Sequence, residues 1–362
     1  MSAPSGSTFA KKGNYLEDFE IGARFNHATP RTVSEGDASL QIALTGARQP
    51  LFSSAPFARS LGYRTRPIDD LLVFNIAFGK TVNDISLNAV ANLGYADVRF
   101  LAPVYAGDTL TAETEIIGLR ETSDGKNGIV YVRSSAFNQD REEILTWARW
   151  VLVRKRDAAS PPRPSHVPPL PDQVAVENLP LPPVSPDTSS MARASGSTRF
   201  WDDFAPGDRI DHPSGMTLDE SDHTLATRLF QNNAKVHFDA LEMAGTPHGR
   251  RLVYGGHVIA VCRALSHDGI ENALSILAIN GGAHRAPTFA GDTLYCFTEV
   301  VEKIALPLAG AGALRLRLVG LSNQPPAGFR DRITIDGKER FDPAVVLDLD
   351  YTVLMPRHAA AA

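Results

Sequence analysis

A histidine, an amide and two adjacent glycines lie within residues 232–256 and could together act on a water molecule. His237 carries an imidazole, whose unperturbed pKa of about 6.5 suits a general base near neutral pH. Asn232 can hold a water by donating and accepting hydrogen bonds, although an amide cannot be the base. Gly255 and Gly256 have no Cβ, and N–H groups at a helix N-terminus favour negative charge. These residue types could supply a base and an anion-stabilising donor, although a single histidine is more often structural or simply exposed, and the repeat and the flanking pattern described below are what single out His237.

Two simpler interpretations of the same residues stay open at this point. Asn232 could serve only as a helix C-cap, since asparagine favours such positions. Gly255 and Gly256 could form only a turn. The other nearby histidines, His223, His248, His257 and His284, are interpreted as neighbours of the site or as surface residues.

The composition argues against several classes of function. Of the 362 residues, 43% are apolar and 21% are charged, with a net charge of −5, so nothing favours binding to nucleic acid or an anionic membrane. No stretch approaches the roughly 20 apolar residues of a membrane helix, and residues 1–12 lack the apolar core of a signal peptide. Cys262 and Cys296 belong to no metal motif and are expected to be buried free thiols. We predict a cytoplasmic protein without a metal or cofactor.

The chain contains an internal duplication. Residues 15–22 (YLEDFEIG) recur 185 positions later as 200–207 (FWDDFAPG), and residues 102–110 (APVYAGDTL) recur 184 positions later as 286–294 (APTFAGDTL). The offset of 185 also pairs His27 with His212, Thr32 with Thr217, Glu35 with Glu220 and Asp37 with Asp222. A nearly constant offset over so long a span indicates two tandem copies of one unit.

Both copies have the same order of predicted elements. A short helix opens at Glu35 or Glu220, and a longer apolar helix follows at 71–82 or 257–265. The strands that alternate apolar and polar residues are predicted at 130–137, 145–153, 314–320 and 345–351. One long helix followed by antiparallel strands is an α+β order, with a curved sheet wrapped around the helix.

A proline-rich segment separates the two copies. Ten prolines lie between Pro161 and Pro186. Because proline fixes φ and has no N–H, this segment cannot enter a sheet interior, and we predict an extended surface linker. The expected division is a first copy at 13–156, a linker at 157–198 and a second copy at 199–357.

Three motifs in the second copy resemble those of the MaoC-like hydratases and dehydratases. They are residues 231–239 (QNNAKVHFD), 254–257 (YGGH) and 290–293 (AGDT), with weaker counterparts at 46–52 (GARQPLF) and 106–109 (AGDT). The resemblance implies a double hotdog fold, in which each copy is a curved antiparallel sheet around a long helix. It also implies a hydro-lyase that adds water reversibly to an α,β-unsaturated acyl-CoA.

Four further stretches resemble the branch of this family that hydrates mesaconyl-CoA. They are residues 66–72 (RPIDDLL), 78–82 (FGKTV), 86–95 (SLNAVANLGY) and 234–238 (AKVHF). The resemblance implies mesaconyl-CoA and β-methylmalyl-CoA as the reacting pair.

The family's catalytic residues map onto the second copy with one departure. In the family, an aspartate and a histidine five positions apart hold the water, and a glycine N–H at the helix N-terminus stabilises the enolate. The resemblance thus makes His237 the acid/base and Gly255 or Gly256 the donor, but it places Asn232 at the aspartate position. We favour His237 with Asn232 as positioner. The carboxylates that could instead replace the missing acid are Asp239, Asp222, Asp69 and Asp70.

The first copy has none of the three catalytic groups. Ala47, Phe52 and Asp70 stand where the family has aspartate, histidine and glycine. No base remains, and a carboxylate at the helix N-terminus would repel an enolate. We predict that this copy is non-catalytic and forms the other wall of the acyl-CoA tunnel.

The free carboxylate of mesaconyl-CoA would require a cation, preferably a guanidinium, which can bond it at two points. The candidates for substrate binding are Arg48, Arg250, Arg251 and Arg285, with Asp239 as a further lining residue. The sequence does not choose among them.

Other functions within and outside the family stay open. The chain could be an (R)-specific enoyl-CoA hydratase, an itaconyl-CoA hydratase, a hotdog thioesterase or an inactive acyl-CoA-binding protein. Its expected partner is an acyl-CoA, without nucleic acid or membrane, and copies of the chain are expected to associate through hotdog sheet edges.

Overall fold

The structure is a computed structural model that describes residues 13–182, 184 and 188–358. The expectation about residues 1–12 falls outside this range. The α-helices are α1 (Glu35–Thr45), α2 (Pro50–Ser53), α3 (Ala55–Ser60), α4 (Asp70–Thr81), α5 (Thr188–Ser195), α6 (Glu220–Leu229), α7 (Lys235–Phe238), α8 (Ala240–Ala244) and α9 (Gly255–Leu265). A π-helical turn, Val82–Ser86, extends α4. The two long predicted helices correspond to α4 and α9.

The strands form one large antiparallel sheet and a small hairpin. They are β1 (Arg24–Asn26), β2 (Arg31–Thr32), β3 (Ala89–Phe100), β4 (Thr109–Glu121), β5 (Asn127–Phe137), β6 (Glu143–Arg154), β7 (Arg209–Thr217), β8 (Ile276–His284), β9 (Thr293–Ala305), β10 (Ala311–Ser322), β11 (Arg332–Ile335), β12 (Lys338–Phe341) and β13 (Val345–Pro356). The strand order is β1-β4-β5-β6-β3-β8-β13-β10-β9-β7, with β2 beside β4 and with β11 and β12 paired separately. The predicted α+β, double hotdog fold is confirmed.

The two halves of the sheet meet where β3 pairs with β8. The register places Tyr95 opposite Gly282 and Val98 opposite Ile279. The first half of the strand order, β4-β5-β6-β3, matches the second half read from its outer end, β9-β10-β13-β8. The β3–β8 junction therefore brings side chains of one copy next to the helix N-terminus of the other.

The two long helices, α4 and α9, are almost completely buried. All residues of α4 from Leu71 to Thr81 are buried, and in α9 the exposed fraction is 1% for Val258 and 0% for Val261. The carbonyl of Phe230 lies so close to Gly79 that a Cβ on Gly79 would overlap it. Glycine is therefore required in α4 where the other copy approaches its backbone.

Side-chain contacts recur in both copies and show that the duplication extends to tertiary structure. Thr32 and Thr109 are hydrogen-bonded at 2.8 Å, and so are Thr217 and Thr293. One ion pair is also duplicated, as Arg66–Glu35 in the first copy and Arg251–Glu220 in the second. Such repeated contacts mark residues whose role is structural in both copies.

The proline-rich segment packs more closely than an extended surface linker would. It contains the short helix α5, a 3-10 turn at Val176–Asn178, and an isolated bridge between His166 and Leu119. Its buried apolar side chains are Val174, Leu179, Val184 and Met191. Apolar residues between the prolines explain the difference, because they can cover an existing core without joining a sheet ladder.

Three further observations complete the fold. Cys262 and Cys296 are free and buried, as expected. The second copy carries the hairpin β11–β12 where the first has a short turn between β5 and β6. Within residues 13–182, 184 and 188–358, no helix is long and apolar enough to cross a membrane.

Candidate active site

His237 lies on the short helix α7, and its ring contacts Tyr254, the residue before the first turn of α9. Its Nδ1 is 2.9 Å from the carbonyl oxygen of Leu252. A carbonyl only accepts hydrogen bonds, so Nδ1 carries the proton and Nε2 of the neutral ring carries the lone pair. Burial lowers the pKa of His237 to about 4, and the nearby His223 and His284 add to this effect. His237 is therefore a neutral imidazole with an available acceptor nitrogen at neutral pH.

Tyr254 caps α9 and packs against the histidine. Its ring centroid is 5.4 Å from that of His237, 5.8 Å from that of Phe230 and 5.9 Å from that of Phe78. Burial raises the pKa of Tyr254 well above its usual value, so the hydroxyl is protonated at neutral pH. These aromatic rings hold His237 in one orientation.

Asn232 is buried beside the loop that leads into α7. Its exposed fraction is 1%, and its Oδ1 accepts a hydrogen bond of 3.1 Å from the Ala234 N–H. Its side chain also interacts with the Tyr254 hydroxyl, which opposes the rise of the tyrosine pKa. Helix α6 ends earlier, at Leu229 with Phe230 as its C-cap, so Asn232 is not the C-cap considered above.

Gly255 and Gly256 form the first turn of α9. The first N–H groups of a helix have no carbonyl partner within it, so they are available to a ligand. A Cβ on Gly255 would overlap the His284 ring, and a Cβ on Gly256 would overlap Asn75 Oδ1. Gly255 is partly exposed, whereas Gly256 is buried. Close approach of side chains therefore explains both glycines, and Gly255 is the more accessible donor.

His284 and Asn75 belong to this site, although sequence reasoning gave neither a role in it. His284 ends β8, and its Nε2 is 3.5 Å from the Tyr95 hydroxyl of the first copy. Asn75, on α4, donates a hydrogen bond of 3.2 Å from Nδ2 to the Gly256 carbonyl. Asn75 comes to the α9 N-terminus from the first copy, and His284 comes to it from strand β8 of the second copy. No local sequence pattern indicates either contact.

His223 is buried beside His237, and a hydrogen bond with the His237 backbone affects its pKa. His257 is buried close to His223, and neither of its ring nitrogens has a hydrogen-bond partner among the described residues. Burial lowers the pKa of both, and that of His257 falls to about 4. The position of the first copy that matches His257 is Leu72, which is fully buried. The hotdog helix thus accommodates a leucine where the second copy has an unpartnered imidazole.

We expect His257→Leu to make the protein less sensitive to acid. The folded-state pKa of His257 lies below the ordinary value, so the unfolded chain takes up its proton first as the pH falls from about 6.5 toward 4. Between pH 7 and pH 5 the wild type should therefore lose about 1–2 kcal/mol more unfolding free energy than the variant, because the variant lacks the contribution of His257. Urea unfolding at the two pH values measures the difference. The exposed His248→Leu is the control, and an equal loss in His257→Leu and wild type would contradict the prediction.

The corresponding place in the first copy has a different chemistry. Phe52 is buried at the histidine position, and Asp70 at the glycine position accepts a hydrogen bond of 2.8 Å from the Ile276 N–H. Asp69 caps α4 by accepting from the N–H groups of Leu71 and Leu72. Burial, together with Asp69, raises the pKa of Asp70 well above its usual value. The carboxyl of Asp69 takes the N–H groups of Leu71 and Leu72 at the start of α4, so these two donors are not free for an enolate.

Among the described residues, none of the acids considered as a replacement for the missing aspartate forms a hydrogen bond or an ion pair with His237. Asp69 and Asp70 are engaged in the first copy as described, and Asp222 bonds the backbone of Asp219 at the start of α6. Asp239 is exposed and caps α8 by accepting from the Glu242 N–H at 3.0 Å. The groups that shift the pKa of His237 are Leu252, His223 and His284, none of them an acid.

The arginines considered for the substrate carboxylate all have other partners. Arg48 pairs with Asp268 at 2.7 Å, and Arg285 pairs with Asp348 at 2.9 Å. Arg251 pairs with Glu220, a contact that the first copy duplicates, and Arg250 lies over the Phe289 ring at 4.0 Å. The structure therefore places these four side chains in surface or structural contacts.

The site has the elements of a proton-transfer reaction. It combines a neutral imidazole, a buried amide and the free N–H groups of a helix N-terminus. Within the part of the chain that is described, no group of three or more His, Cys, Asp or Glu residues could hold a metal ion. The arrangement can activate a water and stabilise negative charge on an oxygen close to it.

Comparison with known proteins agrees with this chemistry. Residues 5–326 match the family described as mesaconyl-CoA hydratase. A β-methylmalyl-CoA dehydratase from Chloroflexus aurantiacus is 52% identical over 347 residues, which cover 95% of this chain and 97% of that protein. A mesaconyl-CoA hydratase from Cereibacter sphaeroides is 49% identical over 345 residues, which cover 95% of this chain and 98% of that protein.

Solved structures agree in fold. A putative MaoC domain protein dehydratase from Chloroflexus aurantiacus has a TM-score of 0.94 and 50% identity, and the match covers 98% of this chain and 100% of that one. A double-hotdog protein from Mycobacterium tuberculosis has a TM-score of 0.73 at 24% identity, covers 95% of this chain and 98% of its own, and supports the fold alone. The chain belongs to the mesaconyl-CoA hydratase family of MaoC-like double-hotdog proteins.

Proposed function

We propose that the protein catalyses the reversible hydration of mesaconyl-CoA to β-methylmalyl-CoA. The observation that carries the proposal is the neutral His237, whose Nε2 is available beside the free N–H groups at the start of α9. A base and an oxyanion donor are the two groups that addition of water to an enoyl thioester requires. The similar proteins from Chloroflexus and Cereibacter bear names for the two directions of this reaction.

His237 acts first as base and then as acid. Its Nε2 takes a proton from water while the water oxygen bonds to C3 of the enoyl group, and the electron pair of the double bond moves to the thioester oxygen. The Gly255 N–H stabilises this enolate oxygen. The imidazolium then returns its proton to C2, which restores the thioester and the neutral ring. Dehydration follows the same steps in reverse.

Asn232 and His284 position these groups. The Oδ1 of Asn232 accepts from Ala234, and its Nδ2 donates toward the Tyr254 hydroxyl, so the second N–H of Nδ2 is the part left to hold the water. His284 lies against Gly255 and so limits the path by which the thioester oxygen reaches the N–H. In this proposal no carboxylate takes part, and one histidine transfers the proton in both directions.

One site per chain is the expected stoichiometry. The first copy, which we assign to 13–156, has Phe52 and Asp70 at catalytic positions and serves as a wall for the acyl group bound by the second copy, 199–357. Side chains of α4 and β3 fulfil this role, since Asn75 reaches Gly256 and Tyr95 reaches His284.

We extend the proposal to the protein's surroundings. A cytoplasmic location fits two buried cysteines that are both free. Association of copies through the terminal strands of the large sheet, β1 and β7, fits their position at its edges.

A single assay tests the proposed activity. Purified protein is mixed separately with mesaconyl-CoA, crotonyl-CoA and itaconyl-CoA, and loss of the enoyl-thioester absorbance is followed with and without a thiol reagent. Hydration of mesaconyl-CoA with the highest kcat/KM, without thiol release, is the expected result. Faster hydration of crotonyl-CoA or itaconyl-CoA would favour the other hydratases, and thiol release would indicate a thioesterase. No change with any of the three would refute a hydratase function.

A further inference from the structure

We propose that the guanidinium of Arg149, on β6 of the first copy, binds the free carboxylate of the acyl group. The inference rests on the proposed function, in which the substrate is a carboxylated enoyl-CoA. It names a substrate-binding residue that lies in the other copy from the catalytic histidine. It also differs from the four arginines that the sequence suggested.

Arg149 is a buried cation without a buried anion. Its exposed fraction is 0%. Its Nη2 donates to Thr81 Oγ1 at 2.9 Å and Ser86 Oγ at 3.4 Å, and its Nη1 donates to Asn92 Oδ1 at 3.4 Å. All three acceptors are neutral, and Nε has no partner among the described residues.

Such an arrangement is unfavourable unless an anion completes it. Removing a guanidinium from water costs several kcal/mol, and a carboxylate in contact normally offsets that cost. In the ranges that the structure describes, no Asp or Glu forms an ion pair with Arg149. Burial lowers its pKa to about 10, so the group is still charged at neutral pH. An unpaired, charged and forked donor is suited to a ligand carboxylate.

Two aromatic rings in succession, Phe78 and Tyr254, connect Arg149 to the catalytic histidine. Its guanidinium is 4.2 Å from the centroid of the Phe78 ring, which is 5.9 Å from the Tyr254 ring. Tyr254 in turn contacts His237. Arg149 also pairs in register with Tyr95, whose hydroxyl faces His284. Two chains of contacts thus connect the guanidinium to both histidines of the site.

The second copy has a buried arginine at the corresponding place, Arg263, and it differs in having acids close by. The register of β5–β6 and β10–β13 places Tyr351 where the first copy has Arg149, and Arg263 stands on α9 where α4 has Phe78. The pair of arginine and aromatic ring is thus exchanged between helix and strand. Arg263, however, acts electrostatically on Asp69 and Asp70. Arg149 has no such acids, which agrees with an anion supplied by the substrate.

The chemistry of mesaconyl-CoA fits this position. Its carboxylate is attached to C3, the carbon that receives the water, so the anion lies at the end of the acyl group away from CoA. Thr81, Ser86 and Asn92 use three of the five N–H groups of Arg149, so Nε–H and one Nη1–H are left for a carboxylate. An uncharged acyl group would leave Arg149 unpaired, so the same residue discriminates against simple enoyl-CoAs.

The test compares two unreactive analogues that differ in one group, succinyl-CoA with a carboxylate and butyryl-CoA with a methyl. Inhibition constants are measured for both against hydration of mesaconyl-CoA. We expect the wild type to bind succinyl-CoA at least 100-fold more tightly than butyryl-CoA, and Arg149→Met to lose most of this preference. Arg149→Lys should recover part of it. Arg263→Met is the matched control and should keep the wild-type ratio.

The outcomes are separate from those of the proposed function. A wild type that binds both analogues equally overturns the proposal without any variant, as does an Arg149→Met protein that weakens both to the same extent. Direct binding measured by calorimetry gives the same ratio for a variant too slow to assay. If the wild type prefers succinyl-CoA but does not hydrate mesaconyl-CoA, the proposed reaction is wrong, while the carboxylate site stands.

Discussion

His237→Ala is expected to lower kcat/KM for mesaconyl-CoA by about 10²–10⁴-fold, the usual effect of losing a general base. The reason is that the two other histidines that influence His237 have contacts of their own: His284 Nε2 faces the Tyr95 hydroxyl, and His223 interacts with the His237 backbone. No carboxylate is among the groups that shift the pKa of His237. Steady-state loss of the enoyl-thioester absorbance measures the effect.

Two further variants separate proton transfer from structure. His237→Gln can still donate to the Leu252 carbonyl but has no basic nitrogen, so its rate should fall as far as that of the alanine variant. Phe52→Leu, at the matching position of the first copy, should leave kcat/KM close to that of the wild type. Near-normal turnover in His237→Gln would assign the proton transfer to another residue.

The pH profile gives an independent measure of the same group. An exposed histidine would lose its base form below about pH 6.5. Burial lowers the pKa of His237 to about 4, so its neutral form persists well below that pH. The value of kcat/KM should therefore be level between pH 6 and 8 and fall only as the pH approaches 4. An inflection close to pH 6.5 in the free enzyme would contradict this environment for the histidine.

The features that sequence predicts well here are those that repeat or are local. The predicted bounds of the two long helices differ from those of α4 and α9 by at most two residues, since a buried apolar helix and its flanking turn occur twice in the sequence. The positions of His237, Asn232 and Gly255 follow from spacing and family resemblance. The paired threonines of both copies show that a constant offset in sequence becomes the same contact in space.

The features that sequence does not predict depend on the association of the two copies. His284 is 189 residues from the Tyr95 that it faces, and Asn75 is 181 residues from Gly256. Composition and periodicity carry no information about such pairs. Arg149 sits within a strand that reads as apolar core, and only its lack of an acidic partner in three dimensions marks it as a binding residue. The candidate arginines near the motifs were visible in sequence, but each is occupied by another contact.

Gly255→Ala is expected to lower kcat by about 10²-fold, close to the effect of losing one oxyanion donor. The new Cβ would overlap the His284 ring and stand where the thioester oxygen must approach, although the N–H itself is retained. Because the donor acts mainly on the enolate, KM should change less than kcat.

A matched glycine and a double variant make this prediction specific. Gly36 also lies in the first turn of a helix, α1, where the nearest atom to a new Cβ is Ser34 Oγ at 3.4 Å, so Gly36→Ala should retain wild-type kcat. In Gly255→Ala combined with His284→Ala, the overlap is removed. If activity stays low relative to His284→Ala alone, the Cβ blocks the approach of the thioester oxygen to the N–H. If the double variant matches His284→Ala, the glycine serves only to make room for the imidazole, and the predicted blocking of the thioester oxygen by the Cβ is wrong.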